Sequence, residues 1–169
     1  MYTKDAIRFA LQIADQAVMN SLDTINDAPL TFPTERGGCH PLWVIGHLAF
    51  VEGLTFTLLG GGENPVAQWA ELFGQDTVPT NEPGHYPPFE ELRNQYAELR
   101  RRNLALFEVM SEADLDKTTP YQPTGLEEHF ATFGKSLLTV ALHQAMHRGH
   151  ITDAYRAAGR VTSALPVAA

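Results

Sequence analysis

The sequence predicts an all-α fold, a four-helix bundle, and three observations carry that reading. Four segments of roughly twenty residues repeat apolar side chains at the helical period. No run alternates apolar and polar residues between hairpin turns, so strand signals are weak. The 169 residues are enough to bury one real core, with the apolar fraction at 44% and the charged fraction at 19%.

The first helix is expected from Thr3 to about Ile25, with Thr3 as N-cap, a stripe of Ala6, Ile7, Ala10, Ile13, Ala14, Ala17 and Val18, and Asp27-Ala28-Pro29 as its stop. The second runs from about His40 to Leu59. Gly37-Gly38 precede it, Pro41 suits its first turn, and Gly60-Gly61-Gly62 ends it. Trp43, His47, Phe50, Val51, Leu54 and Leu58 share one of its faces. The third spans about Pro88 to Met110, where Phe89, Leu92, Tyr96, Leu99, Leu106, Phe107 and Met110 recur, and Glu90 and Glu91 suit the positive end of its dipole. The fourth spans about Phe133 to Ala158, with Gly159 as stop signal. Residues 60 to 87 form a long link between helices two and three that contains "QWAELFG", a short helical candidate. Such a link can cross the full bundle and let helices two and three run parallel. The link from Ser111 to Thr132 is also long, and an up-down hairpin bundle needs neither. One domain is expected over residues 1–160, with 161–169 a loosely ordered tail or a segment lying on a partner subunit.

Net charge is −8 and the isoelectric point about 5.3, which argues against nucleic acid as a partner. The one basic cluster, Arg100-Arg101-Arg102, sits among Glu91, Glu98 and Glu108 and reads as a solvated helix face more readily than as an anion site. The single cysteine, Cys39, permits no intrachain disulfide framework. No stretch approaches the ~20 apolar residues of a membrane span, and the N-terminus has no signal pattern, so the expected location is the cytoplasm, away from membranes.

The stretch "LHQAMHRGHITDAYR" places His143, His147 and His150 on one helical face. His143 and His147 stand one turn apart and can aim two imidazoles at one ion. His150 lies about 10.5 Å along the axis from His143, so it reads as an outer partner or proton relay. His47, in line with Trp43, Phe50 and Leu54, points into the bundle and is the best third ligand, because an imidazole on an apolar stripe must be hydrogen-bonded or metal-bound. The competing reading is a set of hydrogen-bonded core histidines without a metal. His40 beside Cys39 reads as a loop feature, and His85 and His129 as solvent-facing. Asp153 is placed to orient His150, or to pair as a surface charge with Arg156 or Arg160. Glu52 faces away from His47, so no general base is obvious. Trp43, Phe50 and Trp69 can wall a pocket, although their spacing equally suits core packing.

"HPLWVIGHLAFVEG" (His40 to Gly53) and "HQAMHRGH" (His143 to His150) together resemble the second and fourth helices of the DinB/YfiT-like superfamily of metal-binding four-helix bundles. The resemblance covers Thr3 to about Arg160, including the long link. It implies a three-histidine metal site on His47, His143 and His147, with Arg148 and Gly149 matching the pair that follows. His150 departs from the more usual Gln. It also implies a divalent ion, often nickel or zinc, frequent homodimers, and activities that include thiol-dependent transfer, isomerisation and hydrolysis.

Three neutral imidazoles leave an ion its full charge and an open position, which acidifies a bound water or thiol. The expected function is therefore that of a metal-dependent enzyme acting on a small-molecule substrate, by hydrolysis or by transfer of a low-molecular-weight thiol. The alternative is a non-catalytic bundle that sequesters a metal or serves as a stress-response interaction module.

Overall fold

Six helices follow one another in the computed structural model, which describes residues 2–25, 30–32, 38–121 and 123–159: α1 (Thr3–Asp23), α2 (Pro41–Leu58), α3 (Ala70–Phe73), α4 (Phe89–Val109), α5 (Glu112–Leu115) and α6 (Phe133–Ala157). The four long ones are the expected four. Among the described residues the only β pairing is a single bridge between Thr118 and Thr132. The stop at Asp27-Ala28-Pro29, Gly37, Arg160 and the tail 161–169 lie outside the described residues.

Local chemistry explains most of the boundaries. Pro41 opens α2, and the ring of His40 caps it by accepting from the Trp43 amide. Thr132 caps α6 through the Lys135 amide, and Gly159, with φ +75°, ends it in the left-handed region that glycine favours. Thr3 does not cap α1. It is the first helical residue, and Tyr2 stands at the cap position without a side-chain bond. "QWAELFG" completes a 3-10 turn (Ala67–Trp69) and forms α3. The second link contains α5, which carries a capping box made by Ser111 and Asp114.

α1 packs on α6, α2 packs on α4, and α2 also meets α6. One core cluster joins Val18, Leu22, Trp43, Ile45, Leu48, Phe73, Leu92, Leu99 and Ile151; a second joins Ile7, Leu11, Phe107, Leu115 and Leu137. The buried stripe of α1 is Ile7, Leu11, Ala14, Val18 and Leu22, a continuous i, i+3/i+4 series. Ile13, placed in that stripe from the sequence, is 42% exposed. Packing against α6 selects one edge of a wide apolar arc and leaves the other in water.

α2 is buried on nearly all sides and lacks a polar face. By length and composition it is apolar enough to cross a membrane, contrary to the expectation that no stretch comes close. Most of it is enclosed by the bundle, as the central helix of a helical core is. Close approach is built into it: a Cβ on Gly46 would meet the Phe73 ring at 2.2 Å.

The one charged side chain of α2, Glu52, is fully buried and ties all four long helices together. It accepts from Arg100 Nη1 (3.3 Å) and Asn103 Nδ2 (2.6 Å) on α4 and from Gln144 Nε2 (2.6 Å) on α6. Arg100 also donates to the Leu11 carbonyl on α1 and lies 3.9 Å from Asp15, which accepts from the Tyr96 hydroxyl. Arg100 therefore departs from the solvated face read for its cluster: it is 3% exposed, while Arg101 and Arg102 are exposed and pair with Glu98. The reason is that Glu52, Asp15 and the Leu11 carbonyl compensate its charge inside the bundle.

Candidate metal centre

His47 projects from α2, and His143 and His147 from successive turns of α6, where α2 and α6 meet. Their side chains converge. His143 Nε2 lies 3.1 Å from His47 Nε2 and 3.1 Å from His147 Nε2, and the three candidate ligand atoms all lie within 4.8 Å of one another. Four-coordinate zinc with bonds of 2.0–2.1 Å holds its nitrogens about 3.3 Å apart, so the spacing fits one ion.

The proton positions strengthen the fit. His47 Nδ1 is 2.7 Å from the Phe73 carbonyl, which only accepts, so Nδ1 carries the proton. In a neutral ring Nε2 is then bare and aimed at the other two. Burial lowers the pKa of all three rings: that of His143 falls to about 4, with help from His47 and His150, and that of His147 falls further. One proton on His143 Nε2 cannot lie along both of its contacts, and no other proton can enter the contact with His47 without a charged ring. Among the described residues His143 Nδ1 has no partner either. Converging lone pairs with too few protons between them are what a cation satisfies.

The surroundings hold these rings in place. Trp43 stacks on His47 with centroids 4.6 Å apart and planes 10° apart. Its Nε1 donates to the Leu72 carbonyl and to Thr77 Oγ1, which pins the loop after α3 beside His47. His150 Nδ1 sits 3.2 Å from His147 Nδ1, the position of an outer partner that orients the inner ring. Asp153 is exposed, and among the described residues it bonds neither His150 nor Arg156, so its expected orienting role is absent here.

The remaining histidines separate cleanly. His40 is buried and satisfied twice, by the Trp43 amide at Nδ1 and by the Thr80 carbonyl at Nε2. Cys39 beside it is half-buried, with its thiol pKa raised by burial. His85 and His129 are exposed, as expected. Glu52 bonds Arg100, Asn103 and Gln144 and none of the three rings, and burial raises its carboxyl pKa against the pull of Arg100.

A cavity of about 810 Å³ opens over the three rings. Trp43, Phe50, Leu54 and Leu58 of α2 form one wall; Tyr121, Leu126 and Phe130 of the second link face them; Gly74, Gln75 and Asp76 border it from the loop after α3. Trp43 and Phe50 thus wall a pocket, whereas Trp69 is buried edge-on against Phe73 and does not. Sequence reading missed the Glu52 network and the Asp76 loop. The first had a signal, since a lone carboxylate in a wholly apolar helix must be paired inside. The second had none, because it depends on how a link folds back.

The profile of the DinB superfamily matches residues 10–151, most of the chain, and the protein belongs to that superfamily. No curated protein matches it. Superfamily membership and the three-histidine cluster are together compatible with binding of a divalent metal.

Proposed function

We propose that the chain is a metal-dependent enzyme in which His47, His143 and His147 hold one divalent ion, nickel or zinc, at the floor of the cavity. The observation that carries this reading is the convergence of three imidazole nitrogens, too few protons between them, at the bottom of an 810 Å³ cavity. A closed structural site has four protein ligands, whereas three leave a position for substrate or water. An ion there supplies Lewis-acid chemistry that acidifies a water or a thiol. The protein's own contribution is positional: the Phe73 carbonyl fixes the His47 tautomer, Trp43 holds that ring flat, and His150 orients His147. On this reading His150, half-buried against His147, serves as the proton relay.

The substrate is a small organic molecule, and the reaction is hydrolysis or transfer of a low-molecular-weight thiol. Two exposed apolar stripes, Phe9 and Ile13 on α1 and Leu138, Leu142 and Met146 on α6, support a homodimer built on this paired face. The acidic charge argues against a nucleic-acid partner, and the reading takes the enzyme to be cytoplasmic and free of membranes.

Elemental analysis of native, untagged protein tests the reading, run beside His47→Ala and His143→Ala/His147→Ala. One divalent ion per chain, lost in both variants, is expected. No ion after reconstitution with nickel or zinc at neutral pH would overturn it and leave a hydrogen-bonded histidine face in a non-catalytic bundle.

A further inference from the structure

The chemistry of the cavity wall narrows what can enter. Among the described lining residues the only side chain with a formal charge is Asp76, and no Lys or Arg is present. The two wall threonines are already committed: Thr55 donates to the Val51 carbonyl and Thr139 to the His129 carbonyl. Apolar side chains of α2 and of the second link make up most of the rest. An anionic group set against these walls, away from the floor where the proposed ion would sit, would leave water without a compensating cation.

Asp76 is unusual in two ways. Its φ is +65°, the left-handed region that side chains rarely adopt and that Asp and Asn tolerate best. Its carboxylate forms no hydrogen bond or ion pair among the described residues, although the loop around it is tied down. Thr77 Oγ1 donates to the Gly74 carbonyl, and Trp43 Nε1 reaches both Thr77 and the Leu72 carbonyl. Strained backbone that the surroundings hold in place is a marker of functional positions. Here it sets an exposed, unpaired carboxylate at the solvent border of a largely apolar cavity.

We infer that the cavity takes a small organic molecule with an apolar body and a cationic or neutral polar end, and that Asp76 selects it by charge. The inference rests on the metal-site reading only for what occupies the floor.

The test compares phenylbutylamine, phenylbutanol and phenylbutyrate by calorimetry on the full chain after chelation, so that the walls alone are read. Metal content is measured separately on the unchelated preparation, so failure of the metal reading is scored apart from failure of this one. The amine should bind about tenfold tighter than the carboxylate, with the alcohol between them. Asp76→Asn, which keeps the shape and the backbone tolerance, should bring the amine to the level of the alcohol and leave the alcohol unchanged. Leu54→Trp, folded by circular dichroism, should block all three. Carboxylate binding equal to or tighter than the alcohol, an amine preference that survives Asp76→Asn, or no saturable binding by any probe would each overturn the inference.

Discussion

Replacing Glu52 with Leu removes the single acceptor shared by Arg100, Asn103 and Gln144. Leu ends one bond short of the carboxylate oxygens but fills a similar volume, so the electrostatic change dominates the packing change. Arg100 retains the Leu11 carbonyl at 2.8 Å and Asp15 at 3.9 Å, but its closest carboxylate is gone while it remains 3% exposed. Breaking one side of a buried pair costs about 3–5 kcal/mol. For a chain of this size that lowers Tm by roughly 6–20 °C. Arg100→Met should cost a similar amount, and the double variant should cost about 2 kcal/mol less than the sum, because neither orphaned charge remains. Urea denaturation of the chelated protein measures all three. A Glu52→Leu cost below about 1 kcal/mol, or additivity within about 0.5 kcal/mol, would refute the claim that this network ties the helices together. Metal affinity gives a second readout: Gln144 is adjacent to His143, so losing its anchor should loosen the ion about tenfold.

Three further outcomes follow from the same geometry. His150→Ala removes the outer partner of His147 and should weaken metal binding about 10–100-fold without abolishing it, as competition with a chromogenic chelator would show; unchanged affinity would remove His150 from the site. The buried histidines stay neutral in the fold but take up protons when unfolded, so stability is full above about pH 6.5 and is lost as pH falls toward 4. The slope is at most about 1.4 kcal/mol per pH unit for each histidine. Glu52, with its pKa raised, works in the opposite sense; an equal slope in the chelated His143→Ala/His147→Ala variant would show that the histidines are not the source. Gly46→Ala places a methyl 2.2 Å from Phe73, whose carbonyl fixes the His47 tautomer. It should cost about 1–3 kcal/mol and weaken metal binding, measured by denaturation and elemental analysis.

The four long helices were legible in the sequence because periodicity, Pro41, Thr132 and Gly159 act over a few residues, and local steric rules decide them. So was the histidine trio: the spacing of His143 and His147 is a property of any helix, and an imidazole on the apolar stripe of α2 has few fates. Tertiary packing decided the rest. Arg100 belongs by sequence to an exposed basic run, and only the meeting of α1, α2 and α4 supplies the acceptors that let it be buried. Ile13 looks like core until the contact with α6 selects the neighbouring edge of the helix. Which nitrogen of His47 carries the proton depends on Phe73, twenty-six residues away, and the one formal charge among the described lining residues depends on a loop folding back onto Trp43. A helix is encoded within a few turns of chain, but a partner for a buried charge must be brought from another element.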